Sequence, residues 1–188
     1  MGHIHTERTR FDKTPREWLP FGAAAGEYVN DVSGRSDIVA FVGEGAGHGA
    51  PACFIPSLAE MEIDTSVCFG ENFDPSMVGD ISARSVQFEW PIVMGALIHE
   101  AYHAKYSLYD LAEVIKHKDR FIGNLITWFE ETRIEGYAAR ERRGDRPFLR
   151  ACALRLVIGD LKDDEDFAAR GIQAFSQLML LTLARVDA

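Results

Sequence analysis

The chain has 188 residues, 47% of them hydrophobic, which is enough for one domain with a substantial core and too apolar for a disordered segment. Its formal charge of −9, from 29 acidic against 20 basic residues, argues against nucleic acid or an anionic membrane surface as a partner. Cys53, Cys68 and Cys152 are odd in number and lack C-x-x-C spacing, so they read as ordinary thiols of a reducing compartment. No signal-like segment is present and no apolar run approaches the roughly 20 residues that span a bilayer. A cytoplasmic protein folded as a single domain over residues 1–188 is therefore expected.

Residues 1–13 are polar and read as a flexible arm, which holds His3 and His5 too loosely for a metal. Thr14-Pro15-Arg16-Glu17 has the form of a capped helix start interrupted by Pro20, and Phe21, Ala25, Tyr28, Val29 and Val32 predict a helix from about 20 to 32 that stops before Gly34. Residues 37–42 form a β-rich run. The glycine-rich stretch 43–50 fits no phosphate-loop pattern and reads as a flexible connection carrying an exposed His48.

From Ala59 to Cys68 apolar and polar residues alternate. This predicts a half-buried strand with Met61, Ile63, Thr65 and Val67 inward and Glu60, Glu62, Asp64 and Ser66 outward. Such a strand is a candidate edge for an extended peptide, although a solvated outer face explains the pattern as well. Asp74-Pro75 marks a short helical turn, and Pro91 starts or kinks the next helix.

That helix, an apolar run from Pro91 to Leu108, contains His99-Glu100-Ala101-Tyr102-His103, an H-E-x-x-H pattern. On a helix the two histidines share one face with Cβ atoms about 5–6 Å apart, a spacing at which two imidazoles can bind one metal, and Glu100 projects beside them. Gly95, one turn earlier, either leaves room for metal or substrate or marks a close packing contact. Catalytic zinc takes three protein ligands, so a third is needed. The metzincin pattern is excluded, because Tyr106 and Tyr109 stand where it requires Gly and His.

A second helical pattern runs from about Asp119 to Arg143, with Phe121, Ile122, Leu125, Ile126 and Phe129 as its apolar face, and it carries Glu130-Glu131-Thr132-Arg133-Ile134-Glu135. Over residues 60–140 the sequence resembles the zincin superfamily and its gluzincin arrangement. The resemblance is greatest to metallopeptidase-like proteins with H-E-x-x-H followed by an (E/D)-x-R-I-E helix, some of them phage-encoded. It implies His99 and His103 as zinc ligands, Glu100 as general base, Glu131 as third ligand and Glu135 as a brace for the first histidine, with residues 110–118 looping out. Glu130 competes with Glu131, since the two flank the apolar face and periodicity cannot choose; Glu131 is favoured because only it has an acid four residues later. Arg133 lies toward the apolar side and is expected to pair with a carboxylate such as Glu130. His117 and Tyr137 are candidate oxyanion donors, though packing or surface roles are commoner for such residues.

The remainder predicts a helix from Pro147 to about Gly159. An acidic run over 160–166 then gathers at the start of a final apolar helix through Leu178 to Val186, whose open face suits a second copy of the chain or a further domain. The expectation is an α+β, zincin-like domain with a small, mostly antiparallel sheet, an H-E-x-x-H helix and a largely helical C-terminal half. It would act as a zinc-dependent metallopeptidase on a peptide or protein substrate. The alternatives are a proteolytically silent module with a structural metal and a metal-free helical interaction domain; the intact Glu100 favours catalysis.

Overall fold

The computed structural model describes residues 14–108 and 120–163. The expectations for the arm 1–13, the loop 110–118 with His117 and the helix 178–186 lie outside these residues, and so does the His48 side chain.

Helix α1 spans Leu19–Ser33, with Pro20 in its first turn, where a missing N–H costs nothing, so this proline begins the helix and does not interrupt it. It ends at Gly34, whose φ of 73° is the left-handed conformation that closes helices. The expected Thr14 cap is not formed: residues Arg16–Trp18 make a 3-10 turn without a side-chain cap, and the Thr14 hydroxyl accepts from Val42 N–H at 3.0 Å. The Asn30 side chain brackets Ile38 with bonds of 3.0 and 3.1 Å, tying the end of α1 to the next strand.

Strands β1 (Val39–Gly43), β2 (Ala52–Ile55) and β3 (Glu60–Asp64) form a mixed sheet of order β1-β3-β2, β1 parallel and β2 antiparallel to β3. The sheet is therefore not mostly antiparallel. Nor is β3 an edge that could take a substrate strand, because it lies between the other two. Met61 and Ile63 point into the core as expected, but Glu60, Glu62 and Asp64 are buried too, Glu62 to 1% exposure. The chain covers its own polar face: a 3-10 turn at Ala46–Gly49, ordered where a flexible connection was expected, sends Gly47 N–H to Glu62 Oε2 at 3.3 Å. Asp64 ends the strand early. Its Oδ1 accepts from Ser66 N–H (2.9 Å), the Ser66 hydroxyl (2.7 Å) and Val67 N–H (3.4 Å), so residues 65–69 turn into helix α2 (Thr65–Phe69) and do not extend β3.

The Asp74-Pro75 turn forms as expected, with Asp74 Oδ1 accepting from Ser76 N–H at 2.9 Å. Helix α3 (Arg84–Glu89) then leads to α4 (Pro91–Tyr106), which Pro91 starts. Helix α4 is apolar nearly all round and accordingly runs through the centre, packed by α1, β2, α5 (Arg120–Glu141) and α6 (Arg146–Asp163). Gly95 is a packing contact with α6: a Cβ there would stand 2.2 Å from the Phe148 carbonyl oxygen. Helix α6 continues through Gly159 to Asp163, so residues 160–163 belong to it and do not begin another helix, while residues 164–166 of the acidic run lie outside the described residues.

The corner between α5 and α6 is fixed by Asp145, which accepts from Arg84 Nη1 and Arg142 Nε at 2.6 Å each. All three cysteines are buried and unbridged, as their spacing suggested. No helix among the described residues is long and apolar enough to cross a membrane.

Candidate metal centre

One turn of α4 carries both histidines, and α5 crosses beside it so that Glu131 and Glu135, also one turn apart, face them. His99 Nε2 lies 2.9 Å from Glu131 Oε2, His103 Nε2 lies 3.4 Å from Glu131 Oε1, and the two Nε2 atoms are 3.2 Å apart. The Nδ1 atoms point the other way, His99 to Glu135 Oε1 at 2.9 Å and His103 to the Ser107 hydroxyl at 2.7 Å. Glu131 is 10% exposed at its side chain, His103 9% and His99 16%, so the cluster is largely shielded while His99 keeps some access.

Glu130 does not join the cluster. It accepts two bonds from Arg133, at 2.8 and 2.7 Å, and one from Ser107 at 2.6 Å; Arg133 also donates to the Tyr106 carbonyl at 2.7 Å. Arg133 thus pairs with Glu130 as expected. Tyr137 stacks on Tyr106 with centroids 4.6 Å apart, the packing role weighed for it against oxyanion stabilisation. Glu100 is half-buried, and its Oε2 accepts from Phe54 N–H of β2 at 2.8 Å.

Burial pulls the His99 imidazolium pKa down, but the Glu131 charge and the hydrogen bonds to Glu131 and Glu135 outweigh it and push the value up to about 10. Burial pushes Glu131 up, and the facing histidines more than reverse this, holding its carboxyl well below the usual range. A proton on His99 therefore holds two carboxylates together in the metal-free protein. Desolvation raises Glu130 as well, and the bonds from Arg133 and then Ser107 bring it below its ordinary value.

His99, His103 and Glu131 form a group that can hold a metal ion, with ligand atoms all within 4.8 Å of one another. Tetrahedral ligands at zinc distances of 2.0–2.2 Å stand roughly 3.4 Å apart, close to the separations found. Two imidazoles and a carboxylate, each imidazole anchored through its other nitrogen, are also a donor set that zinc takes.

The chain matches no protein-family model, and no curated protein or solved structure matches it.

The shifts have a sign that melting curves can read. The raised His99 pKa stabilises the metal-free fold fully below about pH 6.5 and less as pH climbs toward 10, whereas the lowered Glu131 pKa contributes above about pH 4.5 and is lost below it. The Tm of chelator-treated protein is expected to decline between pH 6.5 and 10, and saturating zinc should flatten that limb; a Tm independent of pH over that range would contradict the ion cluster.

Two contributors escape a reading of the sequence. Ser107 carried a usable signal, since it follows His103 by four residues at the end of the same helix. The Phe54 amide carried none, because a backbone donor has no residue type to recognise.

Proposed function

We propose that this protein is a zinc-dependent peptidase in which His99, His103 and Glu131 hold the metal and Glu100 is the general base. The observation that carries the reading is the convergence of two Nε2 atoms and a carboxylate from two helices, with Glu100 next to His99 in the chain and outside the three-residue group. The resemblance of H-E-x-x-H and the Glu131–Glu135 helix to zincin-type peptidases points the same way. Bound zinc would polarise the scissile carbonyl and acidify water.

Within this reading the chain's own groups divide the work. Phe54 N–H fixes one oxygen of Glu100, leaving Oε1 to take a proton from the attacking water and deliver it to the departing amine. Glu135 keeps the His99 ring turned so that Nε2 faces Glu131. The substrate is a peptide or protein segment that reaches the site from the side on which His99 is partly exposed.

Glu100→Gln tests the assignment, because the amide oxygen still accepts from Phe54 N–H while proton transfer is lost. Zinc content should stay near one per chain and hydrolysis of a peptide library should fall about 10²- to 10⁴-fold. Undiminished hydrolysis would sink the base assignment. The Phe54–Glu100 bond also favours a second reading, in which Glu100 merely fastens α4 to β2 and the metal is structural; wild-type protein that binds zinc and cleaves nothing in the library would establish it.

A further inference from the structure

We propose that Ser107 and Glu130, clamped by Arg133, are positioning residues that hold His103 in the tautomer presenting its Nε2 lone pair to the metal. The inference rests on the metal-centre reading above and deepens it, because the relay belongs to this chain's own arrangement around the second histidine.

Hydrogen-bond polarity fixes where the ring proton sits. Arg133 donates to both oxygens of Glu130, Nε to Oε2 at 2.8 Å and Nη2 to Oε1 at 2.7 Å, and a carboxylate in that fork is an acceptor only. Ser107 Oγ lies 2.6 Å from Glu130 Oε1, so the single hydroxyl proton goes there. With its proton committed, Oγ can only accept at the 2.7 Å contact with His103 Nδ1. Nδ1 therefore carries a ring proton, and Nε2, which faces His99 and Glu131, is the nitrogen left to bind a metal. The reverse polarity would leave two acceptors facing each other at 2.6 Å in a shielded position.

The backbone is arranged to keep this relay in place. Ser107 is the C-cap residue of α4: its N–H donates to the His103 carbonyl at 3.0 Å, and its extended conformation (φ −72°, ψ 132°) turns the chain off the helix beside the ring. Arg133 holds the same corner by donating to the Tyr106 carbonyl at 2.7 Å. One arginine thus fixes both the acid and the turn carrying the hydroxyl. His99 receives direct support from Glu135; His103 receives equivalent support through the hydroxyl. Both rings then present Nε2 to the same point.

The test combines a spectrum of metal-free protein with metal affinity. In metal-free wild-type protein, ¹⁵N imidazole NMR should show His103 protonated at Nδ1. In Ser107→Ala the Nδ1 proton loses its acceptor, so a population protonated at Nε2 and not at Nδ1, donating to Glu131, should appear. Zinc affinity, by competition with a chelator at fixed pH, should fall about 10- to 100-fold in Ser107→Ala, the loss typical of an outer partner, and return to within a few-fold of wild type in Ser107→Thr. His103 without a proton at Nδ1 in the wild type, or an unchanged spectrum and affinity in Ser107→Ala, would overturn the relay while leaving the metal centre standing. Failure of the wild-type protein to bind zinc would instead overturn the metal centre, with the metal-free spectrum still deciding the relay.

Discussion

Glu131→Ala should abolish measurable zinc binding, and Glu131→Gln should reduce it by more than the roughly 100-fold that removal of an outer partner costs. The carboxylate contacts both Nε2 atoms, at 2.9 and 3.4 Å, and contributes the only negative charge in the three-ligand set. Its loss leaves two neutral imidazoles one helical turn apart, too few donors to strip water from a divalent cation. The metal-free protein should also register the change, because Glu131 is the main group pushing the His99 pKa up to about 10. In the variant that value falls, and the decline in Tm above pH 6.5 shrinks. Glu130→Ala is the informative partner. Glu130 touches Arg133 and Ser107, so its removal should cost about 10- to 100-fold in affinity and leave a site that still fills at high zinc. Isothermal titration of the variants decides the matter: equal losses, or a larger loss in Glu130→Ala, would mean that the ligand has been misassigned.

Gly95→Ala should be the most damaging conservative change to stability. In an ordinary helix interior, alanine in place of glycine gains about 1 kcal/mol. Here the new Cβ would stand 2.2 Å from the Phe148 carbonyl oxygen, 2.7 Å from its carbon and 2.6 Å from Cys152 Cβ. Backbone atoms of a neighbouring helix cannot rotate aside, so α6 would have to move away from α4 along its tightest contact. Overpacking of this kind costs about 1–3 kcal/mol and more where backbone must shift, which exceeds the propensity gain. The upper end of that range, about 3 kcal/mol, less the gain of about 1 kcal/mol leaves a net loss of about 2 kcal/mol, which corresponds to a Tm lower by roughly 4–8 °C for a chain of this size. Thermal melts of wild type and variant measure it directly, and a Tm equal to or above that of wild type would show that the helices separate without cost. Zinc affinity in whatever fraction stays folded should change little, since the clash is with Phe148 and Cys152 of α6, whereas His99 and His103 meet Glu131 and Glu135 of α5.

The H-E-x-x-H helix was legible because its information is local. His99 and His103 are brought together by the pitch of one helix, and the apolar residues around them predicted a buried segment that the structure places at the centre of the molecule. The same holds for α1, for the turn after Asp74, and for the pairing of Arg133 with Glu130, where a charge near an apolar face had to find a carboxylate within a turn. Alternation along 59–68 misled for a physical reason. Period 2 tells which residues share a face and not what covers that face; here the turn at 46–49 and the cap made by Asp64 bury the acids that pattern alone assigns to solvent.

By itself, then, the sequence determined an α+β chain with a buried H-E-x-x-H helix and a second helix bearing clustered acids, because spacing within one element is decided by its own geometry. Only the tertiary structure decided that Glu131 and not Glu130 faces the histidines, that Gly95 serves packing, that β3 is central and not an edge, that Ser107 supports His103 and that the Phe54 amide holds Glu100. Each of these depends on how elements far apart in the chain are placed against one another, and that placement is set by the packing of the whole core around α4.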